Sequence, residues 1–571
     1  MHLKSYSLFC ILSVSFVMAA CTAQNKITNP HSSGVLKKAS EGLTQWQNQK
    51  FSMFIHFGLY SVAGGIWKGK QIEEYNEQIR AHAKIPKDEY SELARIFNPV
   101  SWNPDSVVAL AKDAGMRSIV ITSKHHDGFA MFHTKYSNFN VVDATPYKRD
   151  ILKELSEASK KQGLRFGVYF SLIDWHYPGA LPMSKSNSDS IPPSHHQFNL
   201  NQVTELMTNY GPISEVWFDM GKPTFEQSRE LASLVRRLQP NCMVSGRIWN
   251  DQGDFAVMGD NATPDFRLGT PWQTAASMFH ETWGYRSWQV RDNSTKKALD
   301  KLTTLTKIVS NGGNYILNIG PMGNGGIVPF ERDVLITMGD WLKRNGEAIY
   351  NTTPSALPEQ SWGVITSKPQ KLYLHILTRP DDGMVRLKGM KTKPTKAYLL
   401  SDKSQSVNIN YESGECKLNI SGLRSNNVVD VIAVEYEGQL EYVPSNILPK
   451  SPDGSYILTI NNATKYHSYS GKDYYTTKPT VIKEEWVIPA ADVASHKLVF
   501  VSAPEDKGNK LRVIINDMGY DITLKGESGQ VFDRSVSLNQ AKFNSIHVEL
   551  ADKSNPHRDM GLDKLIMQLS K

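Results

Sequence analysis

Polar residues gather at the ends of apolar runs in the first part of this chain. His56 closes the run FSMFIH (51–56), and Lys124, His125, His126 and Asp127 follow a second run and precede Gly128. Asp174, Trp175 and His176 follow a third, Trp217, Phe218 and Asp219 close another, and Arg247 stands near the end of the next. Three imidazoles, a carboxylate, a guanidinium and indole rings on one rim would make a pocket for a polyhydroxylated ligand. The polar groups match hydroxyls, and an aromatic face covers the apolar C–H face of a sugar ring. Each residue also has an ordinary reading. A His at a strand end can be a hydrogen-bonded structural residue, and Asp219 can be a helix N-cap. Adjacent His125 and His126 point opposite ways in an extended strand unless a bulge or turn intervenes, which Gly128 favours. No Cys/His cluster has metal-ligand spacing, so no metal or other cofactor is expected.

The runs that carry these residues alternate with helical patterns. Strands are expected at 51–58, 117–123, 164–171, 215–220, 243–248 and 315–319, and helices at 105–114, 150–162 and 330–344, with a further stripe at Leu231, Leu234, Val235 and Leu238. Near-continuous apolar strands between amphipathic helices indicate a parallel sheet. Over some 300 residues that is the scale of a (β/α)8-like, TIM-type barrel, whose catalytic groups sit where strands end. A doubly wound open sheet is the alternative, and no glycine-rich nucleotide loop favours it. Past Pro354 the helical stripes vanish and short β-rich runs follow, such as 371–377, 429–435, 497–501 and 510–515, which predict one or two β-sandwiches.

The N-terminus has its own pattern. Lys4 precedes an apolar run, Leu8–Ala20, too short to span a bilayer and matching a signal-peptide core. Met18, Ala19, Ala20 and Cys21 resemble a bacterial lipoprotein cleavage site, plain secretion with cleavage near Ala23 being the other reading. The expected organisation is a signal segment at 1–21, a tether at 22–40, the barrel at 41–352, a β-sandwich at 353–440 and a second β-rich domain at 441–571. The protein is expected outside the cytoplasm, periplasmic or on the outer membrane, touching the membrane only through a lipid on Cys21. Cys242 and Cys416 then remain, too few for a disulfide framework. The net charge of +7 is spread without a dense basic block, which argues against a nucleic-acid partner.

The motifs taken in series resemble the α-L-fucosidases of glycoside hydrolase family 29: WQNQKFSMFIHFGLYS (46–61), TSKHHDGF (122–129), VYFS (168–171), VWFD (216–219), WGY (283–285), GGNYILNIGP (312–321) and NGEAIY (345–350). The resemblance runs over roughly residues 40–440, in the family's order and spacing. It implies a retaining exo-glycosidase that removes terminal α-L-fucose from a fucosylated glycan through a covalent glycosyl-enzyme. Asp219 would be the nucleophile. His56, His125 and His126 would bind the sugar hydroxyls with Tyr169 nearby, Trp217 would form part of the wall, and Arg247 would hold the sugar or orient the carboxylate. Glu73 falls where some members place a substrate-binding glutamate.

The proton donor is where this chain departs from the family. Many members carry a Glu after the Trp at 272, and here the residue is Gln273, which cannot donate the proton. Glu281 is the expected replacement, ahead of Glu73, Glu74 or Glu77, and its structural alternative is a salt bridge to Arg286 or Arg291. An α-L-galactosidase is the enzyme alternative, since one hydroxyl separates the two sugars. A catalytically dead glycan-binding protein is the other, and retention of Asp219 argues against it.

Overall fold

The structure, a computed structural model, describes residues 41–178, 189–264, 266–412, 414–424, 429–473, 476–491, 495–540, 542–551 and 560–569. The expected signal segment, the lipidation site at Cys21 and the tether lie outside the described residues.

The strands of the first part are β1 (Phe51–Ile55), β2 (Ser118–Lys124), β3 (Arg165–Ser171), β4 (Ile213–Asp219), β5 (Met243–Val244), β6 (Ala256–Val257), β7 (Arg267–Leu268), β8 (Trp272–Ala276) and β9 (Asn314–Ile319). All but β7 form one eight-stranded parallel sheet, in the order β5-β4-β3-β2-β1-β9-β8-β6. A parallel bridge between Ser245 and Phe255 joins the two end strands, so the sheet closes on itself. This is the barrel the alternating pattern predicts.

Its helices are α1 (Glu41–Gln49), α2 (Pro104–Asp113), α3 (Ile151–Gln162), α4 (Pro193–Asn209), α5 (Phe225–Leu238), α6 (Ser294–Ser310) and α7 (Pro329–Asn345). Local chemistry sets their ends. Asn103 and Asp150 cap α2 and α3 through their side chains, Thr224 and Gln227 form a capping box on α5, and Gly163 closes α3 at φ +70°. α1 precedes β1, and Trp46 from it enters the barrel interior with Phe54, Tyr169, Trp217 and Ile316.

Several elements depart from the sequence expectation. The strand expected at 243–248 ends at Val244, and Gly246–Ile248 is a tight helical turn. That turn aims Arg247 inward. β6 has two residues and β8 carries polar Gln273 and Thr274, so no apolar run announces them. The Ser- and Pro-rich stretch 177–192 leads into α4 from Pro193, with residues 179–188 outside the described set.

No α-helix intervenes between β5 and β6 among the described residues, nor between β6 and β8. That side of the barrel is covered differently. Past α7 stand two β-sandwiches. The first pairs a five-stranded sheet (353–354, 363–368, 371–376, 396–399, 430–435) with a three-stranded one (384–387, 408–412, 415–419). It packs on α7, where the Trp341 indole donates to the Val429 carbonyl at 2.7 Å. The second holds a four-stranded and a six-stranded sheet over a core of its own, including Trp486, Leu498, Val513 and Val548. The six-stranded sheet takes β7 as its edge strand, paired parallel to residues 464–470.

Candidate active site

β1, β2, β3 and β4 run from the closed end, where Glu215 accepts from Trp46 at 2.8 Å, to the rim that carries the polar clusters. Side chains two apart on a strand share a face. Phe54 and His56, Tyr169 and Ser171, and Trp217 and Asp219 therefore rise in successive layers.

The histidines are held in defined tautomers. Asn318 donates through its Nδ2 to the Trp283 carbonyl at 2.7 Å, so its Oδ1 must accept from His56 Nδ1 at the same 2.7 Å. Ser171 donates its hydroxyl to the Ile173 carbonyl at 2.8 Å, so its oxygen accepts from His126 Nδ1 at 2.7 Å. Both rings thus offer an unprotonated Nε2 as an acceptor for a hydroxyl. Burial pushes both imidazoles down to a pKa of about 3, so they stay neutral. His125 is likewise pushed well below the ordinary value by burial and by its two neighbouring histidines, and its buried Nδ1 has no partner. The bulge that adjacent histidines require is present: the β2–β3 register shifts between Thr122 and Lys124, and Gly128 turns at φ +83°. The His125 and His126 rings lie 3.9 Å apart.

Asp219 closes β4 and is 7% exposed. Its Oδ2 accepts from the Tyr169 hydroxyl at 2.8 Å and its Oδ1 from Arg247 at 2.9 Å. The same guanidinium donates to the Met258 carbonyl at 3.1 Å and to Asp260 Oδ1 at 2.5 Å. Burial alone would lower the Arg247 pKa, but Asp260 and Asp219 outweigh it and hold the group above its ordinary value. One fixed cation therefore bridges two carboxylates.

Asp260 is the residue the sequence reading missed. Its side chain is 27% exposed, and its charge acts on His56 and His126 as well as on Arg247. The backbone beside it is sewn to β8, with Asn261 N donating to the Ala275 carbonyl at 2.9 Å and Ser277 N to the Asn261 side chain at 2.8 Å. A Gly259-Asp260-Asn261 turn shortly after Arg247 was the available signal.

The structure brings together His56, His125, His126, Tyr169, Asp219 and Arg247. Trp217 lies among them but is 2% exposed, under the Arg247 guanidinium at 4.9 Å, with its indole N–H on Gln273. A second indole, Trp283, lies 5.2 Å from the His56 ring. Gln273 is fully buried in the barrel interior, accepting from Trp217 at 3.0 Å and donating to Glu215 at 3.4 Å.

Glu281 and Glu73 are both exposed; the backbone carbonyl of each accepts from Arg286, at 3.1 and 2.8 Å, and the charge of each acts on that guanidinium. Among the described residues no hydrogen bond ties either carboxylate to the ring around Asp219. Asp260, not Glu281, is therefore the second carboxylate tied to Asp219 through Arg247. Near Glu73, the inward-facing glutamate is Glu77, fully buried, its Oε2 accepting from the Trp283 and Gly284 amides at 3.0 and 2.9 Å.

Burial raises the Glu77 pKa to about 7, against the pull of those amides. A folded-state value above the unfolded one favours the protonated carboxyl. The preference is complete below about pH 4.5 and is lost as pH rises through 7. Glu77→Gln, which keeps the acceptor oxygen without the charge, should therefore gain melting temperature relative to the parent across that window. Parallel thermal melts from pH 4.5 to 7.5 check this, and a constant offset would contradict it.

Backbone strain surrounds the same groups. Met220, directly after Asp219, has φ +60°, and Trp249, Asn250 and Asp251 follow Arg247 at φ +64°, +51° and +57°. Side chains other than glycine occupy such conformations at a cost of about 1–3 kcal/mol each, and only where the surroundings over-determine them.

A closed (β/α) barrel whose rim holds two carboxylates on one arginine, beside neutral imidazoles, is a glycoside-hydrolase architecture. The profile of the α-L-fucosidase family matches residues 17–347, and the chain belongs to that family. It is 30% identical over 386 residues to the tissue α-L-fucosidase of Mus musculus, covering 63% of this chain and 84% of that protein. To the plasma α-L-fucosidase of Homo sapiens it is 32% identical over 375 residues, covering 60% and 78%. The crystal structure of an α-L-fucosidase from Vibrio sp. strain EJY3 superposes with a TM-score of 0.66 at 27% identity, covering 93% of this chain and 98% of that one.

Proposed function

We propose that this glycoside hydrolase removes terminal α-L-fucose from glycans with retention of configuration, with Asp219 as nucleophile and Asp260 as acid and base. The observation that carries the reading is the single guanidinium of Arg247 donating to both carboxylates. A shared fork keeps two carboxyls a few ångströms apart, in keeping with the roughly 5–5.5 Å of double displacement.

The steps follow from the groups present. Arg247 and the Tyr169 hydroxyl aim the Asp219 carboxylate at the anomeric carbon. Asp260, reached by solvent at 27% exposure, takes up a proton and passes it to the glycosidic oxygen as that bond breaks, and Asp219 forms a glycosyl ester. Water then attacks the same carbon, giving its proton to Asp260 and releasing Asp219. The base step needs a group that water can reach. Asp260 meets this and Glu77, sealed at 2% exposure, does not. His56 and His126 accept sugar hydroxyls through Nε2, and the unpartnered Nδ1 of His125 gains a partner when substrate arrives. Export and anchoring through Cys21 complete the reading, on the N-terminal sequence alone.

The direct test is turnover of 4-nitrophenyl α-L-fucoside, with the first-formed anomer followed by proton NMR. α-L-Fucose appearing before mutarotation is the expected result, and β-L-fucose first would sink the mechanism. Faster turnover of the α-L-galactoside would keep the mechanism and move the substrate.

A further inference from the structure

The second sandwich meets the barrel where the barrel lacks helices, and it does so through one hairpin, residues 464–470 and 478–488. Three of its links fall on the rim. Asn250 N donates to the Gly471 carbonyl at 2.9 Å, within the strained turn that follows Arg247. Lys222, three residues after Asp219, pairs with the buried Asp473 at 3.2 Å. β7 joins the sheet, with Arg267 opposite Tyr466, Leu268 opposite His467, and Gly269 N donating to the His467 carbonyl at 3.0 Å. Among the described residues between the two strands, Asp473 accepts from Thr476 N at 3.0 Å and the Thr477 hydroxyl donates to the Asp473 carbonyl at 2.6 Å.

We propose that this hairpin is a positioning element of the catalytic centre: it holds the turns after Asp219 and Arg247 in their productive shape. The inference rests on the reading of Asp219 and Arg247 given above. Left-handed backbone at Met220, Trp249, Asn250 and Asp251 persists only where neighbours enforce it. Inside the barrel, the Trp249 indole donates to the Met220 carbonyl at 3.2 Å, tying the two turns together, and Asn250 Nδ2 donates to the Pro223 carbonyl at 3.0 Å. The hairpin supplies the outer restraint on both turns. It stands where a (β/α) barrel ordinarily places the helices after its fifth and sixth strands. The core of the second sandwich, from Tyr456 onward, is separate from the barrel's, so the contact is built of backbone bonds, the Lys222–Asp473 pair and side-chain pairs such as Phe266–His467 and Arg267–Tyr466 rather than a shared core. Such a contact sets geometry more than it adds stability.

The test is made in the full chain. One variant replaces residues 471–477 with an Asn-Gly turn, removing the Gly471 carbonyl and Asp473 together. A second set, Lys222→Met, Asp473→Asn and their combination, keeps the hairpin and forms a double-mutant cycle. Leu498→Ala, in the core of the same sandwich, serves as the control that weakens the domain without touching the hairpin. Active sites are titrated, and kcat and KM are measured per titrated site beside Asp219→Asn. The expected result is a fall in kcat of about tenfold or more for the shortened hairpin with KM changed far less, because misplaced catalytic groups lose transition-state contacts first. The cycle should be non-additive, and Leu498→Ala should lower the melting temperature with kcat per site intact. A folded shortened variant with kcat within about twofold of the parent overturns the proposal. If that variant fails to fold, an additive cycle with unchanged kcat overturns it equally. Full activity in Asp219→Asn would instead bring down the underlying reading, and is scored separately.

Discussion

Asp219→Asn should lower kcat/KM for an aryl α-L-fucoside by roughly 10³-fold or more, a barrier increase of about 4 kcal/mol. The amide is nearly isosteric: its one oxygen can still accept from Arg247 while its NH2 donates to the Tyr169 oxygen, so the rim keeps its shape while losing its nucleophile. Arg247 retains Asp260 as a charge partner, which limits the cost of removing one carboxylate from a buried cation. Melting temperature should therefore shift little while activity collapses. Asp219→Gly leaves room for a small anion, and added azide should restore turnover and yield the β-L-fucosyl azide, because it attacks from the face the carboxylate occupied. Kinetics with and without azide check both statements. Activity within tenfold of the parent would put the nucleophile elsewhere.

The second large effect concerns the acid. Asp260→Ala should reduce kcat/KM on an unactivated fucoside by about 10²–10⁴-fold, the usual range for general acid catalysis. The loss on 4-nitrophenyl fucoside should be much smaller at the first chemical step, since that leaving group departs without a proton. Azide should again accelerate turnover, now giving the α-L-fucosyl azide, since the anion meets the glycosyl-enzyme on the side that water uses. Glu281→Gln, with its side chain in solvent, should stay within about threefold of the parent on both substrates. Paired assays across leaving groups of rising basicity decide between the two carboxylates. A slope that steepens in Glu281→Gln and stays flat in Asp260→Ala would restore the sequence expectation.

What was legible in the sequence follows physical lines. The strands carrying Phe54 and His56, Tyr169 and Ser171, and Trp217 and Asp219 are long, buried on both faces and apolar, so their period and their polar ends stand out. The half of the barrel around β5, β6 and β8 did not announce itself. β5 and β6 are two residues each, the intervening helices are absent, and the strand expected through Ile248 breaks to turn Arg247 inward. Asp260 lies in that silent half, whereas Glu281 stands beside a recognisable Trp-Gly-Tyr. Gln273 lies in the same half of the barrel. Its strand position is a barrel-interior one bonded to Trp217 and Glu215, which no spacing along the chain reveals. The hairpin's link to the rim was invisible because a parallel pair between residues 267–268 and 466–467 joins segments some two hundred positions apart.

The central claim is that Asp219 becomes covalently bound to the sugar. Its most direct measurement uses a 2-deoxy-2-fluoro-α-L-fucosyl fluoride, whose good leaving group permits the first step while the 2-fluoro substituent slows the second. The account predicts one equivalent of label in the intact mass, located by peptide sequencing on Asp219 and absent from Asp219→Asn. Label on Asp260, or on any residue outside the Val216–Met220 segment, would contradict it.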